Sequence, residues 1–580
     1  MIRTLVPALL AAAALIAPAH AGAQPGTAET VDLILANGQI RTPTGWVQSM
    51  AIRDGVIVAT GDDATIAATN GTATRRIDLK GAAVFPGLHD MHVHALFAGM
   101  EQFSCGFMPG SKPAAISAAV RACAAAKAPG EWITGGNWVG AVFKPGQQNA
   151  AFLDKVAPNN PVVLTDESHH STWLNSKALQ LARITRDTPN PPNGIIERDA
   201  RGEPTGVLRE AASGLVAAVM PGDSEAARRA GMQLSSNQML SFGITSFTDA
   251  GINAGNLSAM SALSSEGLLK QRVRGCIRWA GSPEDLAAAD RMIAQRGFYE
   301  TPRFKLDCVK VVLDGVPTES HTAAMLLPYE GMSPAHGHGD GREKGLLMVP
   351  QASLDAALTR FDRLGLTVKF HAAGDGAVQA AINAVAAARK ANGFGGPMHD
   401  VGHNSFVDLA DIPRVRDLNM TWEFSPYIWY PTPIAANDIR AAVGDERMKR
   451  WIPIKDAVDT GALVVAGSDW SVVPSVNPWL AIETMVTRQK PGGSVETLGE
   501  AERIDLDTAL RIFTENGATQ MGDRDKVGSI EPGMRADLVV TERNPFRIPI
   551  TEVHATKVRM TFIDGELVYD SANPPKLTAR

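Results

Sequence analysis

Short runs of alternating apolar and polar residues mark both ends of the chain, and small polar turns separate the runs. An Asn-Gly pair at residues 37–38 and Asp-Gly pairs at 54–55 and 564–565 are signals for hairpin turns between strands. We predict that the two ends form one small β domain, because the termini of a domain often lie close together. The strand-like runs cover residues 33–36, 50–53, 56–58, 536–540, 558–563 and 566–569.

The middle of the chain has a different pattern, in which an apolar run is followed by a polar residue, a glycine and a helical stretch. The clearest helical stretch is alanine-rich, covers residues 377–390 and stops near Gly393. Such repeats predict βα units with a parallel sheet. A closed barrel and an open doubly wound sheet both place polar strand ends at one edge. The apolar runs cover residues 243–248, 304–313, 367–371 and 462–466.

One part of the middle region does not fit this repeat. Residues 187–206 are rich in glycine, proline and asparagine and predict a loop excursion outside the sheet. We therefore expect an insertion between about residues 110 and 221.

The first residues have the pattern of a secretory signal peptide. Arg3 precedes an apolar run at residues 5–18, and small residues at positions 19, 21 and 23 offer two cleavage sites. The apolar run is shorter than the roughly 20 residues that span a membrane. We expect a signal peptide of residues 1–21 or 1–23 and an exported protein, periplasmic or secreted, without a stable membrane anchor.

The composition excludes some classes of protein but does not indicate a reaction. With 45% hydrophobic and 20% charged residues among 580, the chain has the composition of a folded globular protein and not of a disordered one. The 55 basic residues are fewer than the 61 acidic residues, and no basic stripe is present, so we expect no nucleic-acid partner.

The four cysteines do not form a C-x-x-C pair, so a thiolate zinc knuckle is not indicated. Export would permit disulfides, for example between Cys105 and Cys123. Buried free thiols remain an equal alternative for all four, including Cys276 and Cys308.

The candidate chemistry begins in residues 84–94, VFPGLHDMHVH. His92 and His94 are two positions apart, and on a strand this spacing turns both imidazoles to one face, where they can hold one divalent ion. His371, His403 and Asp469 end other apolar runs. Each alone is explained equally well as a core histidine or a helix-capping aspartate. Together, at the ends of successive βα units, they predict a metal site.

Seven separated segments then make the chain recognisable. It resembles the amidohydrolase superfamily and, within it, the family-3 amidohydrolases, a group that includes N-substituted formamide deformylase. The resemblance extends from about residue 31 to about residue 569. The segments are 85–94, 170–179, 205–211, 309–315, 371–375, 467–470 and 528–538.

The resemblance implies an α/β fold made of a (β/α)8 metal-dependent hydrolase barrel with an insertion and a small composite β-sandwich from both termini. The barrel would cover residues 87–512, and the sandwich would combine residues 24–86 with residues 513–580. The resemblance does not decide the oligomeric state, and a homo-oligomer stays open.

The resemblance also implies one or two divalent ions per subunit, for which zinc suits the ligands. His92 and His94 would bind one ion. Lys310, if carboxylated, would bridge to a second ion on His371 and His403. A snorkelling strand lysine is the alternative for Lys310, and Lys305 is a rival in the same run.

In this interpretation Asp469 is the general base that takes a proton from water and returns it to a leaving amine. His170 in the insertion is a candidate substrate contact or a structural histidine. Trp470, and Trp429 in an aromatic segment, are candidate pocket residues or core residues.

Two features around these residues limit the comparison. The family usually has Arg-Ile-Glu-His-Ala around His403, and here Gly402 replaces the glutamate, so the surroundings of His403 differ. The histidines at 336 and 338 lie among glycines in a predicted loop and are left out of the site.

The expected function is hydrolysis of a C–N bond in a small amide or N-acyl compound. A lactone, ester or carbamate substrate is the alternative on the same site. A non-catalytic metal- or ligand-binding periplasmic protein is the alternative from another class.

Overall fold

The computed structural model describes residues 30–281, 283–318, 321–330, 342–432 and 434–575. The predicted signal peptide at residues 1–23 and the tract with the histidines at 336 and 338 lie outside the described residues. Among the described helices, none combines the length and the apolar character that a membrane crossing requires.

The described strands number 24 and belong to four sheets. In chain order they are β1 (Leu33–Ala36), β2 (Gln39–Thr42), β3 (Gly45–Val47), β4 (Ser49–Arg53), β5 (Val56–Gly61), β6 (Arg75–Asp78), β7 (Ala83–Pro86), β8 (Leu88–Val93), β9 (Cys105–Gly106), β10 (Ile133–Trp138), β11 (Val162–Asp166), β12 (Ser171–Leu174), β13 (Gly194–Arg198), β14 (Pro204–Glu210), β15 (Ile244–Ile252), β16 (Arg272–Trp279), β17 (Phe304–Val312), β18 (Thr367–Ala372), β19 (Asp400–His403), β20 (Thr421–Phe424), β21 (Leu463–Ala466), β22 (Leu538–Thr541), β23 (Val558–Ile563) and β24 (Glu566–Asp570).

The described α-helices number 18. In chain order they are α1 (Asp63–Ala67), α2 (Ala95–Glu101), α3 (Pro113–Ala125), α4 (Ala150–Asp154), α5 (Ser176–Leu181), α6 (Gly214–Ala217), α7 (Glu225–Ser241), α8 (Ala254–Ser265), α9 (Pro283–Gln295), α10 (Gln351–Arg363), α11 (Asp375–Asn392), α12 (Ile412–Asp417), α13 (Arg440–Val443), α14 (Asp445–Met448), α15 (Ile454–Asp459), α16 (Pro478–Thr487), α17 (Leu506–Phe513) and α18 (Glu515–Gln520).

The central sheet is a parallel barrel whose eight strands follow one another in chain order, β8 and then β15 to β21. A parallel bridge between Val93 and Trp470, just beyond β21, connects the last strand to the first. The predicted (β/α)8 barrel is therefore confirmed, and the open-sheet alternative is not. The carboxyl ends of all eight strands lie at one end of the barrel, as parallel pairing requires.

Helix α11 shows how the sequence produces one of these βα units. The preceding strand β18 is fully buried, and the helix begins after Gly374 with Asp375 in its first turn. Arg389 lies in the last turn, so charges of both signs match the helix dipole. The helix ends at Gly393, whose φ of 83° lies in the left-handed region that glycine adopts without strain.

The two chain ends form a second unit with two sheets. One sheet has the order β5-β4-β1-β6, and the other has the order β24-β23-β22-β7-β2-β3. In the second sheet β22 from the C-terminal segment pairs antiparallel with β7 from the N-terminal segment. Leu35, Met50, Leu538 and Phe562 share one buried cluster between the sheets. The predicted composite β unit is confirmed.

Two of the three predicted hairpin turns are present. Asp54 and Gly55 join β4 to β5, and Asp564 and Gly565 join β23 to β24, all with positive φ values as a tight two-residue turn requires. The prediction for residues 37–38 is wrong. Asn37 connects β1 to β2, which lie in different sheets, so the turn carries the chain from one sheet to the other.

Between the barrel strands β8 and β15 lies a six-stranded sheet with the order β13-β14-β12-β11-β10-β9. Residues 187–206, predicted to be a loop excursion, contain β13 and the start of β14, which pair antiparallel. The segment lies outside the barrel, as predicted, but it is not all loop. The reason is that Ile196 and Leu208 are apolar enough to be buried in the sheet.

The structure pairs all four cysteines, which the sequence left open. Cys105 of β9 is bonded to Cys123 of α3 inside the insertion. Cys276 of β16 is bonded to Cys308 of the neighbouring barrel strand β17.

Buried ion pairs join the barrel to the composite β unit. Arg272 at the start of β16 donates to Asp537 at 2.9 Å, and it also pairs with Asp564 at 2.5 Å. The side chain of Asp537 is 2% exposed, so water cannot replace the arginine as its partner. Removing one member of a buried ion pair leaves an uncompensated charge.

Arg272→Ala is therefore expected to lower the free energy of unfolding by about 3 kcal/mol, measured by urea denaturation. Arg229→Ala is the matched control, because Arg229 pairs with Glu266 at 2.5 Å on the surface. This exposed pair is expected to contribute little to stability, because solvent screens it. Equal effects of the two variants would contradict the structural role of Arg272.

Candidate metal centre

The structure brings the six residues predicted to form the metal site together at the carboxyl end of the barrel. They come from six different positions around it: β8, the residue after β8, β17, β18, β19 and the loop after β21. All six line one cavity of about 1270 Å³. They are His92, His94, Lys310, His371, His403 and Asp469.

The tightest cluster is made of two histidines and one aspartate. Asp469 Oδ1 lies 3.3 Å from His94 Nε2 and 3.6 Å from His92 Nε2. One ligand atom from each of these three residues lies within 4.8 Å of the others, which is the spacing that one bound cation needs. The sequence predicted Asp469 as a base, and the geometry adds that its carboxylate is within ligand range.

His371 and His403 continue the cluster on the next two strands. Their ring centroids are 4.3 Å apart, and the ring of His403 is 4.7 Å from that of His92. His403 Nδ1 lies 3.8 Å from Asp469 Oδ2. The Nε2 atom of His403 is buried and has no hydrogen-bond partner among the described residues.

Lys310 lies beside His92 and is 4% exposed. Its Nζ atom is 3.0 Å from His92 Nε2. Burial, together with the charge of Lys369, lowers the pKa of Lys310 to about 8, so a neutral amine is accessible near neutral pH. The rival Lys305 is outside this group, because its amine pairs with Asp523 at 2.9 Å.

Three of these histidines, His92, His371 and His403, are held in the neutral form that metal binding requires. Burial and the charge of Lys310 keep the pKa of His92 well below its usual range. Burial also lowers the pKa of His371, with His170 adding to the effect, and the pKa of His403, with His371 adding to it. Neutral imidazoles present a lone pair to a cation without first losing a proton.

Backbone hydrogen bonds fix the position of Asp469. Its N–H donates to the carbonyl of His92 at 2.7 Å. The N–H of Ser468 donates to Asp90 Oδ1 at 2.9 Å, and the N–H of His92 also donates to this oxygen at 3.2 Å. Asp469 has a φ of 57°, which is uncommon for a residue with a side chain and is typical of functional sites.

The insertion contributes His170 to the cavity. His170 Nδ1 donates to Glu210 Oε2 at 2.8 Å, and Thr322 donates to the other oxygen of Glu210 at 2.6 Å. Burial alone would lower the pKa of His170, but the charge of Glu210 outweighs it and raises this pKa to about 9. His170 is therefore protonated at neutral pH, with its ring 5.3 Å from that of His371.

The two tryptophans assigned to the pocket do not line the cavity. Trp429 is 0% exposed, and it packs edge-on against Phe424 at 5.6 Å with the guanidinium of Arg488 over its ring. Trp470 is 3% exposed. Both side chains belong to the main buried hydrophobic cluster, which matches the alternative of core residues, and the structure adds no support for a pocket role.

Sequence reasoning missed the residues that surround the ligands. Glu423 of β20 lies 2.5 Å from His92 Nδ1, and Lys369 of β18 pairs with Asp400 at 2.9 Å. Their signal in the sequence is a single charge inside an otherwise apolar strand. His169 is also in the cavity, and its Nε2 atom lies 3.2 Å from Glu101.

The donor set fits a divalent cation. Neutral imidazole nitrogens and a carboxylate are the ligands that zinc and similar ions take from proteins. The buried and unpartnered nitrogen of His403 points to the same conclusion, because such an atom is costly unless something binds it.

Comparison with known proteins agrees with this geometry. The chain is 25% identical over 555 residues to N-substituted formamide deformylase of Arthrobacter pascens, covering 93% of this chain and 98% of that protein. It is 27% identical to the protein LONG AFTER FAR-RED 3 of Arabidopsis thaliana, covering 93% and 91%. A metal-dependent hydrolase of Pyrococcus horikoshii OT3 has the same fold, with a TM-score of 0.69 at 22% identity over 89% of this chain and 99% of that chain.

The sequence profile of the amidohydrolase family matches residues 75–569, which is most of the chain. The matched range includes the complete barrel and every residue of the metal centre described above. The chain belongs to the amidohydrolase family and is a metal-dependent hydrolase of that family.

Proposed function

We propose that the protein is an exported hydrolase that cleaves the C–N bond of small amide or N-acyl compounds. The observation that carries the proposal is the His92–His94–Asp469 cluster, which combines two imidazoles with a carboxylate at the mouth of the barrel. Family membership supports hydrolysis, and the Arthrobacter relative is by its name a deformylase of N-substituted formamides.

In this proposal His92 and His94 hold one divalent ion together with Asp469. His371 and His403 are positioned to hold a second ion, and a carboxylated Lys310 would complete its ligands. Zinc suits this set of nitrogen and oxygen donors. A divalent ion bound here supplies two effects, polarisation of the substrate carbonyl and a lower pKa for water.

Asp469 is the proton carrier. One of its oxygens faces His92 and His94, and the other faces His403, so its carboxylate lies at the centre of the cluster. It accepts a proton from the attacking water and returns it to the nitrogen of the leaving amine. His170 stays protonated through its contact with Glu210 and donates a hydrogen bond to a polar group of the substrate.

The cavity supports a small-molecule substrate with an apolar portion. A volume of about 1270 Å³ is large for a small ligand, and the wall contains apolar side chains from both the barrel and the insertion. These side chains are Phe97, Met108, Met220, Tyr430 and Ile434.

Export is part of the proposal. The signal-peptide pattern of residues 1–23 supports it. Two disulfides in one chain add support, because such bonds persist in oxidising compartments and are rare in the cytosol.

The function is tested by a substrate panel with metal depletion and reloading. N-formyl and N-acyl amines are expected to be hydrolysed by the zinc-loaded protein, with activity lost after chelation and restored by Zn²⁺, since the histidines alone cannot activate water. Matched esters, carbamates and lactones serve as the comparison set. A higher kcat/KM for these would replace the C–N assignment, and activity that survives complete chelation would refute metal-dependent chemistry.

The role of Asp469 is tested with Asp469→Asn. The amide cannot accept the proton of water, so kcat is expected to fall by about 100-fold or more in protein whose metal content is verified. Asp417→Asn is the control, because Asp417 pairs with Arg416 on the surface, outside the cavity, so its loss should leave kcat unchanged. Wild-type turnover by metal-loaded Asp469→Asn would exclude Asp469 as the base.

A further inference from the structure

A chain of buried charged residues lies directly behind His92, on the side away from the cavity. Glu423 Oε2 is 2.5 Å from His92 Nδ1, and Lys369 Nζ is 3.3 Å from the same oxygen. Lys369 also pairs with Asp400 at 2.9 Å. The exposure of these side chains is 0% for His92 and Glu423, 1% for Lys369 and 3% for Asp400.

This contact fixes which nitrogen of His92 carries the proton. His92 Nδ1 and Glu423 Oε2 share a hydrogen bond of 2.5 Å, in which Nδ1–H donates and the carboxylate oxygen accepts. Nε2 is then left with a lone pair. It faces the site, where Lys310 Nζ lies at 3.0 Å and Asp469 Oδ1 at 3.6 Å. A ligating histidine needs this tautomer.

Lys369 stabilises the buried carboxylate of Glu423 electrostatically. An isolated ionised carboxylate in the barrel interior would be costly, and a cation at 3.3 Å offsets that cost. Asp400 balances the remaining charge of Lys369, and Gln520 Nε2 donates to Asp400 at 2.9 Å.

Gly402 provides the space for Glu423. A Cβ atom on residue 402 would lie 2.4 Å from Glu423 Oε2 and 2.9 Å from the carbonyl oxygen of Phe370. Gly402 and Glu423 are direct neighbours in the register of β19 and β20. Any side chain at position 402 would therefore displace the carboxylate from His92.

We propose that Glu423 is a positioning residue for the metal site and that Lys369 and Gly402 hold it in place. Glu423 fixes the tautomer and ring orientation of His92 without touching substrate. The proposal rests on the proposed function, because it assumes that His92 binds a divalent ion.

The test compares metal binding by wild type and Glu423→Gln, with Zn²⁺ and Co²⁺ as probes. The glutamine keeps the size of the side chain but can present either an oxygen or an NH₂ group to His92, so the tautomer is no longer fixed. Zn²⁺ affinity, measured by competition with a chelator, is expected to fall about 10- to 100-fold. The visible spectrum of the Co²⁺-loaded protein is expected to change, because it reports the ligand geometry directly.

Glu483→Gln is the matched control. Glu483 of α16 is also fully buried, and its Oε2 atom accepts from His554 Nδ1 at 2.7 Å, away from the cavity. Its loss is expected to lower the melting temperature and leave Zn²⁺ affinity and the Co²⁺ spectrum as in wild type. The pair of variants therefore separates a role toward the metal from a general loss of buried polar contacts.

Gly402→Ala is the second variant, and it keeps every side chain of the charged chain while displacing Glu423. It is expected to weaken Zn²⁺ binding in the same direction and provides the measurement if Glu423→Gln does not fold. Wild-type Zn²⁺ affinity and an unchanged Co²⁺ spectrum in a folded variant of either kind would overturn the positioning role. Failure of the wild-type protein to bind either ion would instead refute the proposed function.

Discussion

The site depends on how the last barrel strand closes against the first. Asp469 N–H donates to the carbonyl of His92 at 2.7 Å, and Ser468 N–H donates to Asp90 Oδ1 at 2.9 Å across 378 positions of sequence. Gly467 allows this approach, since a Cβ atom there would lie 2.3 Å from Cβ of His92. Without this contact, Asp469 would not lie close enough to His92 and His94 for the three side chains to bind one cation. The closure of the barrel therefore also assembles the site.

The closed barrel then imposes a second constraint, because it buries many ionisable groups. Burial favours the uncharged form, which lowers the pKa of His403 and raises the pKa of Asp314 to about 7. Charge is retained where a partner lies in contact: burial alone would lower the pKa of Lys369, but Asp400 and Glu423 raise it. As a result, the uncharged imidazoles of His92, His371 and His403 face the cavity, and the paired side chains of Lys369 and Glu423 lie behind them. This is the arrangement that a metal-binding barrel needs.

The sequence predicted structural features correctly where residues close together in the chain determine them. Strand runs that end in a polar residue and a glycine predicted βα units with a parallel sheet, and the family resemblance added that the sheet closes into a barrel. Asp54-Gly55 predicted a hairpin because the turn depends mainly on those two residues. Asn37 has the same local signal, but β1 and β2 pair with other strands and not with each other, so no hairpin forms there. The sequence could not assign a role to Glu423, because that role depends on a contact with His92, 331 positions away. The sequence did not decide between pocket and core for Trp429 for a similar reason, since the guanidinium of Arg488, distant in sequence, covers its ring.

Different parts of the chain contribute side chains to the cavity. The barrel contributes the His92–His94–Asp469 cluster, whereas the insertion contributes His170 with Glu210 and part of the cavity wall. Thr322, which follows barrel strand β17, donates to Glu210 and so fixes the insertion against the reacting end of the barrel. Relatives at 25–27% identity can keep the barrel chemistry while the walls of the cavity differ. Family membership therefore makes this chain a metal-dependent hydrolase, and we expect the contacts made by the insertion to decide which substrate enters the cavity.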